Sequence, residues 1–112
     1  MQKSEKLYLE DILSSIEKIE KYTAGSTFEK FSKNTQLADA TIRNLEIIGE
    51  AVKKLPKSLT DKNPEIEWKK IAGLRDILIH EYFGIDVKII WDIVQNKLPE
   101  LKATASHMLS GI

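Results

Sequence analysis

The chain has 112 residues, enough for one compact domain, and we expect a single domain over residues 1–112. Its 17 basic and 17 acidic residues balance, so no strong overall field attracts nucleic acid, and an RNA site would have to be a local basic patch. There is no cysteine, which excludes disulfides, thiolate nucleophiles and cysteine-based zinc sites, and no stretch approaches the roughly 18 apolar residues of a membrane span. We therefore expect a cytoplasmic protein without a metal ion or a cofactor.

Apolar residues recur at helical spacing from the start of the chain. A first helix follows a cap at Ser4, and residues 25–27 then break the pattern. We expect Phe28 and Phe31 to pin the crossing to a second helix, which Asn34 or Thr35 caps and Pro56 ends. The apolar faces of these two helices carry Leu9, Ile12, Leu13, Ile16, Ile19, Leu37, Leu45, Ile48, Val52 and Leu55.

Residues 57–64 contain proline, aspartate and asparagine and are predicted to form a loop. A shorter helical stretch begins at Glu65 and leads into the helix that carries Arg75. Asp86 is predicted to cap a last helix, in which Pro99 produces a kink but no end. No strand-like alternation is present, so we predict an all-α fold, a four-helix antiparallel bundle with a short extra helix before the helix of Arg75.

Gly49 stands in the interior of the second helix, where glycine costs about 1 kcal/mol relative to alanine, so a compensating role is expected. Close packing against another helix is one explanation. The other is a functional cleft beside Glu46 and Glu50, in which Glu50 supports the chemistry. A solvated glutamate on the helix face is the simplest interpretation of Glu50.

Arg75, His80 and Tyr82 fall within eight residues of a chain that has only two arginines and two histidines. On a straight helix Arg75 and His80 are about 140° apart, so they converge only if the arginine reaches round, the helix bends near a glycine, or a second copy completes the site. Asp76 lies one turn before His80 and could orient its ring.

An arginine and an orientable histidine without a metal suit RNA cleavage by the ribose 2′-hydroxyl. Arg75 would bind the phosphate oxygens, and His80 would act as general base or acid. The second proton would need His80 of a dimer mate or Tyr82. From spacing alone, a histidine bonded to a backbone carbonyl and an arginine in a surface ion pair are an equally good explanation.

The remaining candidates favour structural roles. His107 has no carboxylate or cysteine partner at ligand spacing. Trp68 and Trp91 follow the apolar pattern and are predicted to pack in the core. The lysine pairs at 53–54 and 69–70 could steer RNA but are more often solvated faces.

The segment from Trp68 to Asp86, with Arg75, His80 and Tyr82 in place, resembles the signature of HepT-like HEPN toxins. Residues 43–51 and 91–101 are also similar to this family. The resemblance implies an all-helical homodimer with a cleft between protomers and metal-independent endoribonuclease activity. It assigns the catalytic roles to Arg75 and His80, with Tyr82 nearby.

The resemblance further implies a toxin-antitoxin system of type II or VII kind. The antitoxin would be an MntA-like minimal nucleotidyltransferase that transfers AMP to Tyr82, and a bulky anion beside Arg75 would repel RNA. Asp76 departs from the family, in which asparagine is frequent at that position. The alternatives are a non-catalytic HEPN module that binds a nucleotide or the nucleotidyltransferase, and an inert helical bundle.

Overall fold

The computed structural model describes residues 5–80 and 84–112, and of His80 it describes the backbone only. Seven α-helices and one π-helical segment account for the regular structure of these residues, which contain no strand, so the predicted all-α fold is confirmed. The helices are α1 Glu5–Thr23, α2 Phe28–Lys33, α3 Thr35–Lys53, α4 Lys57–Thr60, α5 Trp68–His80, α6 Val87–Asp92 and α7 Leu98–Ser110.

The central helix is α3, which packs against α1 on one side and α5 on another, while α1 also contacts α7. Its apolar residues recur every three or four positions, so that one face enters the core. The fully buried side chains of the core come from α1, α2, α3, α6 and α7, and they include Leu9, Ile12, Ile16, Ile19, Phe31, Leu45, Ile48, Ile90 and Leu101. None of the described helices is long and apolar enough to cross a membrane.

A short helix, α2, lies at the crossing between α1 and α3, and the sequence pattern did not predict it as a separate helix. Asn34 ends α2 and caps α3, its side-chain oxygen accepting a hydrogen bond from the backbone of Leu37 at 3.0 Å. Phe31 is fully buried, with its ring centroid 5.1 Å from that of Trp91. The predicted cap at Asn34 and the pinning role of Phe31 are confirmed, whereas Ser4 lies outside the described residues.

The segment predicted as a loop contains α4. This single turn starts after Pro56, whose carbonyl accepts from the backbone N–H groups of Leu59 and Thr60. An ion pair of 2.9 Å between Lys57 and Asp61 closes the turn. A short extra helix thus precedes α5, as predicted, but it lies at Lys57–Thr60, within the segment predicted as a loop. The helix that carries Arg75 begins at Trp68 instead of Glu65.

Asp86 caps α6 as predicted, its carboxylate accepting from the backbone of Lys88 at 2.9 Å. The helical backbone then continues to Ser110 through the π-helical segment Ile93–Lys97. Pro99 lies in the first turn of α7, where its missing N–H costs little. A kink was predicted at Pro99. The structure instead has wider, π-helical turns just before this residue.

Candidate active site

Arg75 lies on α5 and points its guanidinium toward α3. Its Nε lies 2.8 Å from Oε2 of Glu50 in an ion pair, and its Nη1 donates a hydrogen bond to Oδ1 of Asp76 at 3.2 Å. The side chain of Arg75 is 38% exposed. The guanidinium is therefore held by two carboxylates, on α3 and on its own helix, while part of it stays accessible.

Gly49 explains how the two helices come this close. A Cβ atom at Gly49 would lie 3.0 Å from the carbonyl oxygen of Ile71, 3.1 Å from the backbone nitrogen of Arg75 and 3.3 Å from its Cβ. Two of these three contacts are with backbone atoms, which cannot rotate away. Close helix packing, the first of the two explanations considered for Gly49, is what the structure has, and it lies at the turn that carries Arg75.

A cleft of about 320 Å³ opens beside Arg75, between α1, α3 and α5. Its charged lining residues balance, with three cations and three carboxylates, which are Arg43, Lys54, Arg75, Asp11, Glu46 and Glu50. The cleft that was considered as the second explanation for Gly49 is therefore present next to Glu46 and Glu50. It differs from a purely basic groove because its lining contains as many carboxylates as cations.

The cleft is also lined by Lys54, which the sequence analysis named only as part of a lysine pair, and by Tyr8, which it did not single out. Lys54 places its Nζ 3.5 Å from Oε1 of Glu50 and 5.9 Å from the centroid of the Tyr8 ring. The spacing of four residues between Glu50 and Lys54 on one helix was a usable signal. Tyr8 had none, because it reaches the cleft only through the packing of α1 on α3.

Arg75, Asp76 and the backbone of His80 share the uninterrupted helix α5. The structure brings Arg75, Asp76 and Glu50 together. The side chain of His80 and the whole of Tyr82 lie outside the described residues, so the pairing of Asp76 with His80 and the place of Tyr82 stay predictions. One of the three ways in which Arg75 was expected to converge with His80 was that its long side chain reaches round the helix. In the structure this side chain extends to Glu50 on α3.

The other candidates have ordinary positions. His107 is exposed in the last turn of α7. Trp68 and Trp91 are half-buried against the core, and the indole of Trp68 donates to the carbonyl of Asn63 at 2.8 Å. The described residues contain no group of three or more acidic or histidine side chains that could hold a metal ion.

Residues 12–108 match the model of the family described as Ribonuclease HepT-like. The chain is 46% identical over 107 residues to "Putative RNase TTE0752" of Caldanaerobacter subterraneus subsp. tengcongensis, covering 96% of both chains. It is 47% identical over 102 residues to "Probable ribonuclease HepT" of Thermococcus cleftensis, covering 91% of this chain and 93% of that one.

A third relative is "Gamma-glutamylcyclotransferase and putative RNase MJ0434" of Methanocaldococcus jannaschii, 48% identical over 102 residues. The match covers 91% of this chain but 46% of that longer protein. No solved structure matches the chain. Because the family model covers most of the chain, including both arginines, the chain belongs to the HepT-like ribonuclease family.

Proposed function

We propose that this chain is a metal-independent endoribonuclease that acts as the toxin of a toxin-antitoxin pair. Its main support is the family match together with the position of Arg75, whose guanidinium is paired with Glu50 and whose side chain is partly exposed. A planar, permanently charged fork at the mouth of a cleft is suited to the non-bridging oxygens of a phosphodiester.

The reaction uses the RNA as its own nucleophile. The 2′-oxygen attacks the adjacent phosphorus and loses its proton to a general base, while the bond from phosphorus to the 5′-oxygen breaks and a general acid protonates the leaving oxygen. Arg75 stabilises the extra negative charge that develops on the phosphate oxygens. The products are a 2′,3′-cyclic phosphate and a 5′-hydroxyl.

His80 serves one of the two proton transfers. One imidazole cannot donate and accept in the same step, so the other transfer falls to His80 of a second copy or to Tyr82. Arg75 and His80 occupy different sides of one helix by spacing, and Arg75 is bonded toward α3. Both points favour a composite cleft in a homodimer.

Silencing by a nucleotidyltransferase partner would act on the same site. Transfer of AMP to Tyr82 would place a phosphate group within a few residues of Arg75, where it would compete for the guanidinium and repel the RNA backbone. Asp76 already places a carboxylate 3.2 Å from Nη1. The phosphodiester formed by AMP transfer would add a further negative charge near the guanidinium, together with the bulk of the adenosine.

The test is cleavage of RNA in EDTA by the wild-type protein and by His80→Ala, with both proteins shown to be folded and of equal oligomeric size. We expect the wild type to cut and His80→Ala to lose about 10²-fold or more in rate. The mass of Tyr82-containing peptides must show that the wild type is unmodified. If the unmodified dimer does not cut RNA, or if His80→Ala cuts as fast, the nuclease proposal is wrong and a binding module takes its place.

A further inference from the structure

We propose that Gly49 and Glu50 are positioning residues for Arg75, with Gly49 setting the position of its backbone and Glu50 the orientation of its guanidinium. The role in RNA cleavage rests on the function proposed above. The placement of Arg75 itself does not, so the two can fail separately.

The backbone part follows from the contact at Gly49. The space that a Cβ would need is occupied by Ile71 O at 3.0 Å and Arg75 N at 3.1 Å. Any larger residue would push α5 away from α3 at the turn that carries Arg75, by a few tenths of an ångström or more. Gly73, which precedes Arg75 on α5, has no atom within 4 Å of a built Cβ, so the constraint is specific to Gly49.

The side-chain part follows from the two oxygens of Glu50. Oε2 lies 2.8 Å from Nε of Arg75 in an ion pair, and Oε1 lies 3.5 Å from Nζ of Lys54. The carboxylate therefore lies between cations on two helices, and Lys54 restrains it from its own helix one turn later. A carboxylate restrained in this way limits the orientations that the guanidinium of Arg75 can take.

This arrangement predicts separate effects on rate and affinity. Glu50 is an anion close to the proposed phosphate site, so its charge weakens RNA binding while its ion pair with Arg75 improves the geometry of the arginine. Glu50→Gln keeps the shape but loses the charge, and its amide is a weaker acceptor for Nε. The maximal rate should fall by about tenfold, while KM should fall by about twofold to fivefold.

The matched control is Glu20→Gln. Glu20 forms an ion pair of 2.8 Å with Lys102, which links α1 to α7 with side-chain exposures of 47% and 40%. The pair between Glu50 and Arg75 also spans two helices at 2.8 Å, with exposures of 40% and 38%. Loss of one exposed inter-helix ion pair is therefore common to both variants, and only Glu50→Gln removes a partner of Arg75.

The placement is measured first, without reference to activity. The chain has only two arginines, so an NMR spectrum of ¹⁵N-labelled protein holds two Nε–Hε signals, and Arg75→Lys identifies that of Arg75. We expect slow solvent exchange of this proton in the wild type and in Glu20→Gln, and at least tenfold faster exchange in Glu50→Gln. An unchanged Arg75 signal in Glu50→Gln would overturn the proposal whether or not the protein cuts RNA.

Cleavage kinetics in EDTA then test the consequence. The expected result is the tenfold lower maximal rate and lower KM of Glu50→Gln, with Glu20→Gln equal to the wild type. In an Arg75→Ala background, Glu50→Gln should cause no further loss, because it acts through the arginine. Equal losses in both backgrounds would overturn the positioning role. An altered Arg75 signal in a protein that cuts no RNA would support the placement and remove only the nuclease function.

Discussion

Two ion pairs link helices that are distant in sequence, and by distance and exposure they are nearly the same. Arg75 with Glu50 and Lys102 with Glu20 each have a contact of 2.8 Å between partly exposed side chains. As isolated surface pairs each would contribute little to stability, because solvent screens the charges. The difference lies in the surroundings.

The guanidinium of Arg75 contacts a second carboxylate, its partner Glu50 contacts a second cation, and the backbone beneath it touches Gly49. The hydrogen bond between Lys102 and Glu20 raises the pKa of Lys102. The length of an ion pair is therefore a poor indicator of its role. The number of contacts that restrain each partner is a better one.

The largest effect is expected from exchanging the type of cation. Arg75→Lys keeps the charge but loses the planar fork, so a phosphate and Glu50 can no longer be bound through different nitrogens of one rigid group. We expect cleavage in EDTA to fall by about 10²-fold. Lys102→Arg is the matched exchange and should leave the rate unchanged, and equal effects of the two variants would remove the distinction between the pairs.

The next effect concerns the backbone beneath Arg75. In Gly49→Ala the added methyl meets backbone atoms at 3.0 and 3.1 Å, so we expect a loss of about 1–3 kcal/mol in the free energy of unfolding, despite the better helix propensity of alanine. Gly73→Ala has open space at its Cβ and should gain up to about 1 kcal/mol. Denaturant titration measures both, and a stabilised Gly49→Ala would contradict the close contact.

A smaller effect is expected at Asp76, whose carboxylate lies 3.2 Å from Nη1 of Arg75, where it opposes a phosphate. Asp76→Asn should tighten RNA binding by about twofold to fivefold at low salt, and the gain should shrink as salt is added. Binding is best measured with His80→Ala present in both proteins, so that Arg75 is retained and the RNA is not cut. Weaker binding of Asp76→Asn would show that the carboxylate supports the site.

The smallest effect is expected from the ion pair between Lys102 and Glu20. Because the folded-state pKa of Lys102 is raised above 10.5, the stability from this pair is present below that pH and is lost as the pH rises through the higher folded value. The stability difference between wild type and Glu20→Gln should therefore be small at pH 7 and vanish at strongly alkaline pH. A difference that grows with pH would contradict this direction.

The helical fold followed from the apolar spacing, because α1, α3 and the last helix bury one face each and their caps at Asn34 and Asp86 are local signals. The single turn α4 was missed because a proline and an Asp at helical distance look like loop residues in a sequence. The π-helical segment before Pro99 has no sequence signature, since it adjusts the phase of one helix to its neighbours.

The site was predictable in part. Arg75 stood out by its rarity in the chain, and Gly49 by its cost inside a helix, yet nothing in the sequence said that Gly49 touches the turn of Arg75. That contact joins residues 26 positions apart and depends on how α3 crosses α5. Tyr8 lines the cleft for the same reason, through the packing of α1 on α3.

The central claim is that Arg75 stabilises a phosphate during metal-free RNA cleavage. The most direct measurement is the rate of cleavage and the end groups of the products in EDTA, for the unmodified wild type and for Arg75→Ala. We predict 2′,3′-cyclic phosphate and 5′-hydroxyl ends from the wild type, and a rate at least 10²-fold lower from Arg75→Ala. Cleavage by Arg75→Ala at the wild-type rate, or products with other ends, would contradict the account.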